Sequence, residues 1–167
     1  VPAAGVAGAV LAAEDGPVRA EALAAKTAGA LALLELAHDA VFVVLCSALA
    51  AVLGGIGQSD YCAGNAFLDA LAVRAERSRA GNGPRVLSIG WDAWSEAGMA
   101  VDAAVPEPLR GRRAEILRDG LTRVEGVEVF RRALAAPHAH VLVSTVALEA
   151  RLAELARVER SAAVDAA

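Results

Sequence analysis

Val41-Phe42-Val43-Val44-Leu45-Cys46-Ser47-Ala48-Leu49-Ala50-Ala51-Val52-Leu53-Gly54-Gly55-Ile56-Gly57-Gln58-Ser59 carries no charged side chain, and its reading decides the fold. Together with Ala40 it is long enough to raise the question of a membrane-spanning helix. Its character changes midway, however. Val41 to Leu45 is β-branched and aromatic, whereas Gly54, Gly55 and Gly57 break the end. A short buried parallel strand over about Val41 to Ser47, followed by a glycine-rich loop, accounts for both halves.

Outward from this strand the pattern alternates. Upstream, Ala3-Ala4-Gly5 reads as a strand end turning into a loop. Pro17 suits the first turn of a helix running to about His38, with Leu23, Ala30, Leu31 and Leu34 on its apolar side. Downstream, a second helix is expected from near Ser59 to about Arg79, with Phe67, Leu68 and Leu71 inward. Gly81-Asn82-Gly83-Pro84 is a turn. Arg85 to Trp91 reads as a second strand, with Leu87, Ile89 and Trp91 along one face. The stretch from Asp92 to Arg118, with Pro106 and Pro108, reads as irregular. Thr122 and Glu125 have capping-box spacing for a helix to about Ala135. His140 to Thr145 is a third strand, and the Ala- and Arg-rich tail is helical and peripheral. Such alternation predicts an α/β fold, a parallel sheet with helices on its faces. Ligands then bind beyond the carboxyl ends of the strands, where Ser47, the glycine loop and Trp91-Asp92-Ala93-Trp94 fall.

Composition narrows the function classes. The 167 residues suit one domain, and a hydrophobic fraction of 56% excludes disorder for most of the length. Alanine supplies 42 residues and aromatics only 4%, so the core must be built from Val, Leu and Ala. The net charge of −4 and the scattered arginines argue against nucleic-acid binding. Cys46 and Cys62 have neither disulfide-framework nor zinc spacing, so no metal site is expected and a reducing cytoplasm fits. The chain begins at Val1 without a secretion-signal pattern, as a piece of a longer protein does.

Three residues stand out for chemistry. Tyr61, the only tyrosine, opens the second predicted helix, and Asn65 follows four residues later on the same face. The positive end of the helix dipole favours the phenolate, and a nearby ammonium would favour it further. Lys26 is the only lysine beside 15 arginines. On these residues alone a plainer reading is favoured: an amphipathic tyrosine at a helix end, with an asparagine bonding a carbonyl.

The run from Ser47 through Gly54-Gly55-Ile56-Gly57-Gln58-Ser59-Asp60-Tyr61-Cys62-Ala63-Gly64-Asn65 to Leu71 resembles the active-site stretch of ketoreductase domains of modular polyketide synthases. These belong to the short-chain dehydrogenase/reductase superfamily. Ala3-Ala4-Gly5-Val6, Ala25-Lys26-Thr27-Ala28-Gly29, Ser88-Ile89-Gly90-Trp91-Asp92-Ala93-Trp94 through Gly98-Met99-Ala100, and Leu121 to Leu134 extend the resemblance over most of residues 1–150. It implies a partial Rossmann-like sheet, the second half of that superfamily's fold. Residues 1–150 are then the catalytic half of a ketoreductase-like domain, and 151–167 a helical tail or linker.

The resemblance also implies NADPH-dependent reduction of an acyl-carrier-bound β-ketoacyl chain. Tyr61, Lys26 and Asn65 match the family's catalytic tyrosine, lysine and asparagine, and Ser47 is a further candidate. Cofactor contacts are implied at Lys26, Tyr61, Ala4 and Gly5, and substrate contacts at Ala48, Leu53, Gln58, Trp91 and Met99. The implied partners are the acyl carrier protein, other synthase domains and the amino-terminal half of the ketoreductase, which carries the phosphate loop. Ala48 stands where the family has its catalytic serine, and Ser47, one residue earlier, should point to the opposite face of a strand. An alternative therefore stands beside reduction: a reductively inactive ketoreductase-like domain that shapes a synthase module.

Overall fold

The structure is a computed structural model that describes residues 23–54, 59–79, 83–98, 101, 107 and 110–165. Three strands, β1 (Phe42–Ala48), β2 (Arg85–Trp91) and β3 (His140–Leu142), form a parallel sheet in the order β1-β2-β3. Phe42 pairs with Arg85, Ala48 with Trp91, and Ser88 with His140. The helices are α1 (Ala28–Leu36), α2 (Ala50–Leu53), α3 (Ser59–Ser78), α4 (Arg110–Arg118), α5 (Arg123–Ala135) and α6 (Leu148–Asp165). A helical turn at 23–26, carrying Lys26, leads into α1.

Strand alternation sorts the core into two layers. Val43, Leu45 and Val86 face Ala30 of α1 and Leu68, Leu71 and Ala72 of α3. Val44, Leu87 and Ile89 face Leu121, Val143 and Ala133 of α5, with Trp91 and Trp94 packed at the margin. Leu45, Leu87 and Ile89 have no exposed surface, and each contributes about 1.5–3 kcal/mol by leaving water. Polar links cross the layers as well. Ser88 Oγ donates to Asp69 Oδ1 of α3 at 2.6 Å, and His140 Nε2 lies 3.4 Å from the same oxygen. The Arg85 guanidinium donates to the carbonyls of Leu134 and Ala136, which closes the carboxyl end of α5.

The predicted order of strands and helices holds, with local corrections. Between β1 and the glycines the chain forms the short helix α2 rather than loop alone. Leu31 is 44% exposed, and Leu33 joins Leu34 against the core instead. The stretch read as irregular contains α4. Its local composition is dominated by arginine and carries almost no apolar periodicity, so no pattern announced a helix there. β3 ends at Leu142, three residues short of the expectation. The capping box is formed as read: Glu125 N–H donates to Thr122 Oγ1, and Thr122 N–H donates to Glu125 Oε2. The Ala3-to-Gly5 strand end and Pro17 lie outside the described residues. Among the described residues no helix is long and apolar enough to cross a membrane.

One close approach gives a stability test. Gly126 of α5 lies against the Trp94 indole, and a Cβ there would overlap the ring, whereas a Cβ on Gly111 of α4 would meet nothing. Gly→Ala inside a helix ordinarily stabilises by up to about 1 kcal/mol. Gly111→Ala is expected to do so, while Gly126→Ala destabilises by about 1–3 kcal/mol through overpacking. Denaturant midpoints of the two variants should shift in opposite directions; a stabilised Gly126→Ala protein contradicts the packing described.

Candidate active site at the carboxyl end of β1

The site gathers where β1 ends and α3 begins. Ser47, second to last in β1, is 5% exposed, and its Oγ donates to the Asn65 backbone carbonyl at 3.2 Å. Asn65 lies one helical turn beyond Tyr61, is fully buried, and donates its amide Nδ2 to the Tyr61 carbonyl at 2.7 Å. Among the described residues its buried Oδ1 has no hydrogen-bond partner. Lys26 reaches in from the turn before α1. Its Nζ lies 3.5 Å from the Cys46 carbonyl and 5.6 Å from the centre of the Tyr61 ring, over the ring face. Thus α1, β1 and α3, distant in sequence, bring Lys26, Ser47, Tyr61 and Asn65 together.

The electrostatics differ from the expectation at Tyr61. Burial pushes its phenol above the ordinary value of 10.0. Burial also pushes the Lys26 ammonium down, partly opposed by Cys46 and Asp69. Desolvation penalises the charged form of each group, and at Tyr61 it outweighs the opposing hydrogen bond with the Asn65 side chain. Tyr61 is therefore a protonated donor at neutral pH.

The remaining predicted residues divide. Ala48 ends β1, 8% exposed, and Leu53 is half-buried at the end of α2. Trp91 pairs with Ala48 through the backbone, but its ring packs with Trp94 on the α5 side, centroids 5.2 Å apart. Ala4, Gly5, Gln58 and Met99 lie outside the described residues. Gly64 was not singled out from the sequence. It lets the Lys26 stem cross α3, since a Cβ there would stand 3.0 Å from Lys26 Cδ. A glycine inside a helix, between Tyr61 and Asn65, was the available signal.

A helix-borne tyrosine and a converging lysine thus lie at the strand ends of a parallel sheet. Residues 2–96 match the KR domain family. Polyketide synthase ThaG of Burkholderia thailandensis is 38% identical over 122 residues, covering 71% of this chain and 2% of that protein. Pikromycin polyketide synthase component PikAII of Streptomyces venezuelae is 39% identical over 107 residues, covering 60% of this chain and 3% of that protein. Among solved structures, PlmKR1, the ketoreductase from the first module of phoslactomycin biosynthesis in Streptomyces sp. HK803, superposes with a TM-score of 0.72 at 31% identity. That match covers 92% of this chain and 34% of PlmKR1. A C2-type ketoreductase from a modular polyketide synthase gives a TM-score of 0.67 at 31% identity, covering 87% and 30% of the two chains. The chain belongs to the KR family, the polyketide synthase ketoreductase domains of the short-chain dehydrogenase/reductase superfamily. It spans about a third of the solved ketoreductase chains and a few per cent of the synthases it matches.

Proposed function

We propose that this chain is the catalytic part of a ketoreductase that reduces an acyl-carrier-bound β-ketoacyl thioester to the β-hydroxyacyl form with NADPH, alongside the other domains of a polyketide synthase. The observation that carries the reading is the convergence of Lys26 and Asn65 on Tyr61 at the carboxyl end of β1. The residues present fit a nicotinamide cofactor. Asn65 Oδ1 offers an unused buried acceptor, and Lys26 offers an ammonium suited to ribose hydroxyls, a point charge that arginine would not reproduce. Bound NADPH supplies the hydride to the carbonyl carbon. Tyr61 gives its phenolic proton to the carbonyl oxygen, so that C=O becomes CH–OH. Lys26 opposes the negative charge left on Tyr61, and Asn65, bonded to the Tyr61 carbonyl, fixes the first turns of α3.

Ala48 favours a second reading, a ketoreductase-like domain without turnover, because one donor to the developing oxyanion is missing. The complete ketoreductase carrying this chain decides between the two. With NADPH and a β-ketoacyl N-acetylcysteamine thioester it is expected to oxidise cofactor and release β-hydroxyacyl product in equal amounts. Cofactor binding without product supports the second reading.

A further inference from the structure

Asp92 follows Trp91 at the carboxyl end of β2, yet its carboxylate is only 8% exposed. Oδ1 accepts the Ala93 N–H at 2.9 Å and an Arg151 guanidinium N–H at 3.1 Å. Oδ2 accepts Thr145 N–H at 3.1 Å and Thr145 Oγ1–H at 3.0 Å, and lies 3.0 Å from the second Arg151 nitrogen. One carboxylate thus joins the segment after β2, the turn after β3 and the first turn of α6. The two-nitrogen contact with Arg151 gives the pair directional strength that a lysine would lack.

This junction also bears on α2. The carbonyl of Trp91, in the peptide unit leading into Asp92, accepts the Leu49 N–H at 2.7 Å. Leu49 in turn starts α2, whose amides at Val52, Leu53 and Gly54 bond back to Leu49 and Ala50. Helix α6 packs against α2. Asp92 therefore fixes α2 from two directions, through the backbone at Leu49 and through α6 by way of Arg151. The segment so fixed links Ala48 to the helix of Tyr61 and carries Leu53.

We propose that Asp92 and Arg151 are positioning residues: their ion pair ties α6 to the end of β2 and so sets α2, which joins β1 to the helix of Tyr61, for the reduction. The role in reduction rests on the function proposed above; the mechanical coupling does not. Residues 151–165 are on this account part of the catalytic unit rather than a linker.

The test uses the complete ketoreductase carrying this chain, with Arg151→Lys and Arg151→Ala. In Arg151→Ala, hydrogen exchange at the Val52, Leu53 and Gly54 amides is expected to rise about tenfold, from loss of a charged hydrogen-bonded pair. Exchange in β1 should be unchanged. The KM for the β-ketoacyl thioester should rise by a similar factor with kcat altered less than the KM, and millimolar methylguanidinium should restore both readouts. Arg151→Lys, which keeps the charge without the fork, should fall between, and it serves as the folded comparison if Arg151→Ala loses protection everywhere. Unchanged α2 exchange in a folded Arg151→Ala or Arg151→Lys protein overturns the proposal, as does exchange that rises equally in β1. A parent enzyme that reduces nothing refutes the proposed function while the exchange result still decides the clamp.

Discussion

Replacing Ala48 by serine in the complete ketoreductase is expected to raise reduction of a β-ketoacyl thioester by roughly 10²–10³, the range for one oxyanion donor. Ala48 is the last residue of β1, held in register with Trp91, so its backbone is fixed from the β2 side. Ser47 is a poor substitute. Its Oγ already donates to the Asn65 carbonyl, and strand alternation turns the two side chains to opposite faces. Initial rates of NADPH oxidation at saturating cofactor give the measurement. An Ala48→Ser enzyme that binds NADPH normally and remains inert favours the domain without turnover. High activity before any substitution means instead that Ser47 or a water already serves the oxyanion.

Tyr61→Phe in the Ala48→Ser background is expected to erase that gain, with a loss of about 10²–10⁴ for the missing proton donor. Phenylalanine keeps the ring over which Lys26 lies, so thermal stability should change little while turnover collapses. The pH profile adds a second reading of the same group. Burial raises the Tyr61 phenol above 10.0, and a general acid works only below its pKa. The rate should therefore be level through neutral and mildly alkaline pH and fall only above about 10. An alkaline limb that begins well below this, and disappears in Lys26→Met, places the ammonium at the hydroxyl rather than over the ring face. A Tyr61→Phe enzyme that retains the Ala48→Ser rate removes Tyr61 from the chemistry.

Much of this was legible in the residues. The opening of the uncharged run was correctly read as a buried strand because strand chemistry is a local property, whereas the helix α2 that follows it was not read. The boundaries of β2, the start of α3 and the Thr122–Glu125 capping box are likewise written within a few neighbouring positions. Tyr61 and Asn65 could be placed on one helical face by spacing alone. Helix α4 was missed because its arginine-rich sequence leaves no apolar stripe to read.

Sequence by itself thus determined the alternation of strands and helices, the helix that carries Tyr61 and the family to which the chain belongs. Tertiary structure alone decided which distant groups meet: Lys26 over the Tyr61 ring, Ser47 on the Asn65 carbonyl, and Arg151 on a carboxylate 59 residues away. It also decided the sign of the Tyr61 shift, since burial, which no spacing reveals, outweighs the hydrogen bond with the Asn65 side chain there. The physical reason is range. Backbone hydrogen bonding and side-chain periodicity act between neighbours, whereas contact and desolvation depend on sheet register and on how helices pack across it.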